Sequence, residues 1–259
     1  VSARRLTPLA ALAALVCLAG LAQAEISQRG NLRVTVEGNL RPERLPRQGA
    51  APISVSVGGQ ISTTDRSLAP QLKALRIEIN RHGRLDYAGL PTCRLAQIQP
   101  GSSERALSQC RSALVGRGGF SANIILAGQA PYPTEGRLLV FNGRKGGKPV
   151  LYGHIYAQRP FATSFVIVFG LQKLRKGAYG TALNAPLPKA MEAWGRLTGL
   201  QMTLSRRYRY RGARRSFLSA GCPAPKGFPG ASFPLARTTF AFAGGKRLRS
   251  VLSDQCEVR

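Results

Sequence analysis

The chain has 259 residues, 38 Lys and Arg against 11 Asp and Glu, and a formal net charge of +27 at pH 7. Its hydrophobic share of 44% is enough for a packed core, which excludes a disordered basic tail. So large a positive field favours polyanionic partners, and two histidines with no CxxC spacing supply a metal site poorly.

Residues 1–24 carry Arg4 and Arg5, then an uncharged stretch of mostly Ala and Leu, then Ala22-Gln23-Ala24 before Glu25. This is the layout of a signal peptide cleaved near Ala24-Glu25, and it predicts secretion to the extracellular space or cell surface. Retention as a membrane anchor is the alternative, because the uncharged stretch is close to the shortest that spans a bilayer. Cys17 follows Val16, where a lipid-modification motif needs a small residue. Cleavage removes two arginines and no acid. No transmembrane segment is expected in the mature chain. Its chromosome is then out of reach, so no chromosomal nucleic acid is expected as a partner. Anionic cell-wall polymers or lipid head groups are the expected ones.

Residues 25–30 read as a short polar leader. Leu32, Val34 and Val36 alternate with Arg33 and Thr35, and Ile53, Val55 and Val57 alternate with serines, which is the period of half-buried strands. Pro, Arg and Gly make residues 41–52 a loop. Leu75, Ile77 and Ile79 mark a further strand, and His82-Gly83 a turn. A helix is expected over about 103–115, capped by Ser102 or Ser103 and stopped by Gly116, with Leu107, Cys110 and Leu114 on its buried stripe.

Residues 120–126, 137–141 and 150–157 read as strands between Gly/Pro turns. The run Phe165-Val166-Ile167-Val168-Phe169 suits a strand buried on both faces. A short helix is expected over about 187–195 with Pro188 in its first turn. Residues 128–136 (GQAPYPTEG) could divide the region 25–259 into two parts. A strand from Leu200 runs into residues 206–211, turns near Gly212 and returns through Ser216-Phe217-Leu218. Many short strands and few helices predict a mainly β fold, an antiparallel β-sandwich or barrel-like architecture.

Cys93, Cys110, Cys222 and Cys256 remain after cleavage, and an even count in an exported chain reads as disulfides. Of three pairings, Cys93–Cys110 and Cys222–Cys256 are favoured because each brackets one compact segment. Six of the ten residues 206–215 are Arg. In a strand, Arg207, Arg209 and Arg211 would point one way, and Arg206, Tyr208 and Tyr210 the other. That stripe could pair its guanidinium forks with phosphate or carboxylate, with Tyr rings stacking on sugars. The plainer alternative is an ordinary solvated strand face that also blocks edge-to-edge aggregation.

No spacing selects a catalytic carboxylate pair from the acids near His82, and His154 reads as a strand residue with a satisfied ring. GxSxG, Walker, HExxH and dinucleotide-binding motifs are missing, and no cofactor or metal is predicted.

Two stretches resemble a group of exported proteins of unknown function from high-GC Gram-positive bacteria. One is GLPTC (89–93) with ALSQCRSALVGRG (106–118). The other is FLSAGCPAPKGFPG (217–230) with FPLARTTFAFAGG (233–245) and Cys256. The resemblance implies an exported, disulfide-bearing, β-rich protein and supplies no catalytic or binding residue. The expectation is a non-enzymatic envelope or extracellular protein that binds anionic polymers through Arg-rich strand faces. A secreted hydrolase of cell-wall glycan or ester, and a purely structural or interaction module, are the two alternatives.

Overall fold

A computed structural model describes residues 23–259. The expected signal segment lies outside them, apart from Gln23 and Ala24, which begin the first strand. In chain order the elements start with β1 (Gln23–Arg29), β2 (Leu32–Arg41), β3 (Arg44–Leu45), β4 (Ala51–Pro52), β5 (Ser54–Thr63), β6 (Leu72–Asn80) and β7 (Gly83–Leu85). Helices α1 (Leu95–Ile98) and α2 (Ser103–Cys110) follow, then β8 (Leu114–Ile124), β9 (Tyr132–Lys145), β10 (Lys148–Ala157), β11 (Thr163–Lys173) and β12 (Tyr179–Pro186). After α3 (Lys189–Trp194) come β13 (Gly195–Leu204), β14 (Arg207–Tyr210), β15 (Ala213–Ser216), β16 (Leu218–Ala220), β17 (Gly230–Phe242) and β18 (Arg247–Val258).

The frame is one 13-stranded sheet in the order β1-β2-β5-β13-β8-β9-β10-β11-β12-β6-β17-β18-β3. All its pairings are antiparallel except β18 with β3. It curls until β1 and β2 meet β18. Side chains close that seam: Ser27 Oγ donates to Arg249 O at 2.7 Å, and Leu40 N–H donates to Asp254 Oδ2 at 2.8 Å. Of the two architectures expected, the barrel-like one is present. Curling brings edge strand β1 against β18, although β1 itself stays largely exposed.

Alternating side chains sort the core. Leu32, Val34 and Val36 of β2, Leu138 and Val140 of β9, and Ile167 and Phe169 of β11 all point inward, into one large cluster. The opposite faces of β9, β10 and β11 are buried too, because α1 and α2 cover them. Leu139, Phe141, Tyr152 and Val166 pack there with Ile98, Ala106 and the bridge Cys93–Cys110. This explains the unbroken apolar run in β11: Ile167 faces the lumen and Val166 faces the helices.

Both favoured disulfides are present, with Cα atoms 5.5 Å apart in Cys93–Cys110 and 5.7 Å apart in Cys222–Cys256. The second fastens the chain after β16 to β18, and Arg47 holds the adjoining loop by donating to the carbonyls of Ala224 and Phe228 at 2.7 Å. A small sheet, β4-β16-β7, closes one side of the interior.

Several local expectations need correction. The polar leader is strand β1, which forms a hairpin with β2 across Gly30, whose φ of 61° suits the first position of a tight turn. The helix over 103–115 ends at Cys110. A short 3-10 turn follows, and Leu114 and Gly116 lie in β8. Gly116 is required there because a Cβ would sit 2.4 Å from Leu204 Cδ2. Pro188 is the cap of α3 rather than a residue inside it. Residues 128–136 span the β8–β9 connection and the start of β9, strands that pair along most of their length.

Candidate anion-binding hairpin

The Arg-rich segment does not continue β13. The chain leaves that strand at Ser205, and β14 and β15 form a separate two-stranded hairpin. Phe217 N–H donates to Arg206 O at 2.7 Å and ties its base. Its tip is the two-residue turn Arg211-Gly212, with φ of 49° and 77°. That is the geometry of a type I′ turn, whose twist matches the strands it joins.

The cross-strand register decides which arginines act together. Arg209 lies opposite Arg214, and Arg207 opposite Ser216, so Arg207, Arg209 and Arg214 share one face. Tyr208 lies opposite Arg215 on the other face. Arg211 leaves the stripe, because it occupies the turn and its guanidinium carbon sits 5.3 Å from the centre of the Tyr210 ring. The sequence-level grouping of Arg207, Arg209 and Arg211 therefore becomes Arg207, Arg209 and Arg214. Gly212 signals the turn in the sequence, but the grouping depends on its being a two-residue turn.

The tyrosines anchor the hairpin to residues 86–90. Tyr208 Oη donates toward the carbonyls of Asp86 and Ala88, at 3.2 and 2.9 Å. Burial, with the nearby Asp86 charge, raises the phenol pKa above its ordinary value, so the group stays a donor. Tyr210 lies flat on Gly89, where a Cβ would fall 2.0 Å from Tyr210 Cδ2. Arg215 donates to Asp86 Oδ2 at 2.9 Å, and its guanidinium also lies over Tyr210. The supporting roles of Asp86, Gly89 and Arg215 are not legible in the sequence, since they rest on contacts more than 100 positions apart.

Arg215 is thus held by an acid. Arg207, Arg209, Arg211 and Arg214 are exposed, and among the described residues no acid pairs with any of them. Arg206 Nε is buried at the hairpin base without a hydrogen-bond partner. Arg76 and Arg237, by contrast, share one acid: Glu78 accepts from Arg237 at 2.6 Å and from Arg76 at 3.3 Å.

A second surface mixes both charges, with Glu37, Glu104 and Glu135 beside Arg117, Arg137 and Arg159. Glu37, Gly58, Gln201, Gly119, Arg137 and Tyr156 form one cross-strand row over β2, β5, β13, β8, β9 and β10. Glycines alternate with polar side chains along it, so the row floors a shallow polar groove that Glu37 and Glu135 line.

Neither histidine lines that groove. His154 is fully buried under α2, with Nε2 3.0 Å from Gly101 O and no partner at Nδ1. The ring is therefore satisfied on one side only. His82 is exposed, in the turn between β6 and β7 that borders the apolar interior. Among the described residues no three His, Cys, Asp or Glu gather as metal ligands would, and no helix is long and apolar enough to cross a membrane.

Comparison of this chain with protein-family models, with curated proteins and with solved structures finds no match.

Proposed function

We propose that this chain is an exported, non-enzymatic binding protein of the cell envelope or extracellular space, whose β14–β15 hairpin binds anionic polymers. The carrying observation is the like-charged cross-strand pair Arg209 and Arg214, flanked by Arg207, with no acid on that face. Like charges directly opposite each other destabilise a strand pair. A polyanion laid along the face removes that cost, and planar guanidinium forks suit phosphate or carboxylate groups. Two disulfides and the signal-like residues 1–24 support export to an oxidising compartment. On this reading the chain sits with the exported, disulfide-bearing proteins of high-GC Gram-positive bacteria that it resembles.

Fluorescently labelled inorganic polyphosphate tests the site by anisotropy at two salt concentrations. Binding by the natural chain is expected to weaken steeply as salt rises, as counterion release requires. The triple variant Arg207→Ala, Arg209→Ala and Arg214→Ala should bind about tenfold or more weakly at low salt, with a shallower salt slope. The same three positions changed to Lys should keep the slope and lose part of the affinity. Unchanged affinity and slope in the alanine variant would rule the hairpin out as the site.

A further inference from the structure

The polar groove on the outer face of the frame runs across the strands rather than along them. It comprises three joined hollows of about 410, 420 and 690 Å³. Glu37, Gly58 and Gln201 line the first two, and Ser121, Glu135 and Gly136 the last two. The space is therefore continuous from β2 to β10. Five strand spacings make it about 24 Å long, measured along the sheet.

Its floor is kept low by glycines that the fold itself does not require. Gly58, Gly119 and Gly199 lie within strands, and none has a positive φ. A Cβ at Gly119 would meet nothing closer than 3.4 Å. At Gly58 and Gly199 the close atoms belong to the Glu37 and Ser121 side chains. Gly118, one residue away, differs: a Cβ there would lie 1.9 Å from Gln201 O. Glycine weakens a strand interior, and it marks places where another backbone or a ligand comes close. At these three positions no other backbone comes closer than ordinary contact, which leaves a ligand.

The walls suit an uncharged ligand. Three acids and three arginines line them, on a chain with 38 basic and 11 acidic residues. Glu37 and Glu135 are exposed and form no salt bridge among the described residues. Those carboxylates repel a polyanion. A peptide strand cannot add to the sheet here, because β5, β13, β8 and β9 are each paired on both sides. Carboxylates accept, guanidinium groups donate, and the amides of Gln60 and Gln201 do both, which is what sugar hydroxyls, each a donor and an acceptor, require.

We infer that this groove binds an uncharged linear polysaccharide laid across the strands, its rings over Gly58, Gly119 and Gly199 and its hydroxyls bonded to Glu37, Gln201 and Glu135. Glu37 and Glu135 stand four strand spacings apart, about 19 Å along the sheet, whereas two carboxyls that cleave a glycosidic bond lie within about 10 Å of each other. They therefore grip separate rings and form no hydrolytic pair. The groove shares no residue with the hairpin, so the inference stands apart from the anion-binding reading.

Titration calorimetry of the whole chain with cellohexaose, chitohexaose and maltohexaose tests this. At least one should bind, with an affinity that changes little between low and high salt, because no counterions are released. Glu135→Ala should weaken that binding about tenfold, the scale of hydrogen bonds to a charged group. Gly119→Leu raises the floor without a backbone clash and should abolish measurable binding. Both variants should bind polyphosphate no more weakly than the natural chain, and the alanine triple variant of the hairpin should bind the hexasaccharide normally. If Gly119→Leu does not fold, Glu135→Ala decides alone. The inference is overturned if none of the three hexasaccharides binds, or if Glu135→Ala or a folded Gly119→Leu binds as tightly as the natural chain. Binding lost at high salt, or an uncharged Gly-Ser hexapeptide bound equally well, overturns it too.

Discussion

His154 shows how one buried ring records its protonation state. Gly101 O can only accept, so the facing Nε2 carries the hydrogen and Nδ1 is the bare nitrogen. Protonating Nδ1 would bury a charged N–H that has no acceptor. Burial accordingly lowers the imidazole pKa, outweighing the backbone carbonyls of Gly101 and Ile98 and the attraction of Glu104 on α2. A depressed folded-state pKa contributes stability above the ordinary histidine range, which is lost as pH falls through that range towards the folded value. Urea unfolding at pH 7.5 and pH 5 should show this loss. His154→Gln can still donate to Gly101 O but cannot titrate, so its stability should depend less steeply on pH over the same interval. An equal dependence in the two proteins would mean that His154 contributes none of it.

Among the elements, the α1–α2 layer depends most on a single covalent link. Cys93 lies beside β9, with its N–H donating to Asn142 O at 2.8 Å, and Cys110 ends α2. Two helices of four and eight residues cannot hold themselves together in water. Replacing both cysteines with serine should cost about 3 kcal/mol in equilibrium unfolding, from the loop entropy that the bridge removes. Hydrogen exchange should rise first in residues 95–110, while the inward-facing strands stay protected.

This layer was partly legible in the sequence. The pairing followed from how each pair brackets a short segment, and Cys110 does lie on the buried side of α2. Its end is not legible there, because Gly116 serves equally as a helix stop and as a close-packed strand glycine. Strand β1 escapes sequence reading for another reason. It is polar, its Ile26 is exposed, and the ladder of β2 defines it more than any pattern of its own. The anion face was legible as a charge run, but its membership was not, because a turn one residue longer or shorter would regroup every arginine.

At the scale of the whole molecule, the order of strands could not be read from local pattern at all. Strand β13 sits between β5 and β8, and β6 between β12 and β17, so the lumen is assembled from segments far apart in the chain. Strands such as β2 and β5 carry a clear alternation, yet none records how well the inward side chains fill the space they jointly enclose. An apolar cavity of about 80 Å³ in the lumen, with Ala220 and Ala236 in its wall, is the result, and at about 24 cal/mol per Å³ it costs the fold about 2 kcal/mol. Ala236→Leu should recover part of that, raising the denaturant midpoint without changing its slope, because the added carbons enter existing space. If Ala236→Leu instead lowers the midpoint, the lumen is already packed to its limit at that position, and Ala220→Leu measures whether the space near the small sheet is any looser.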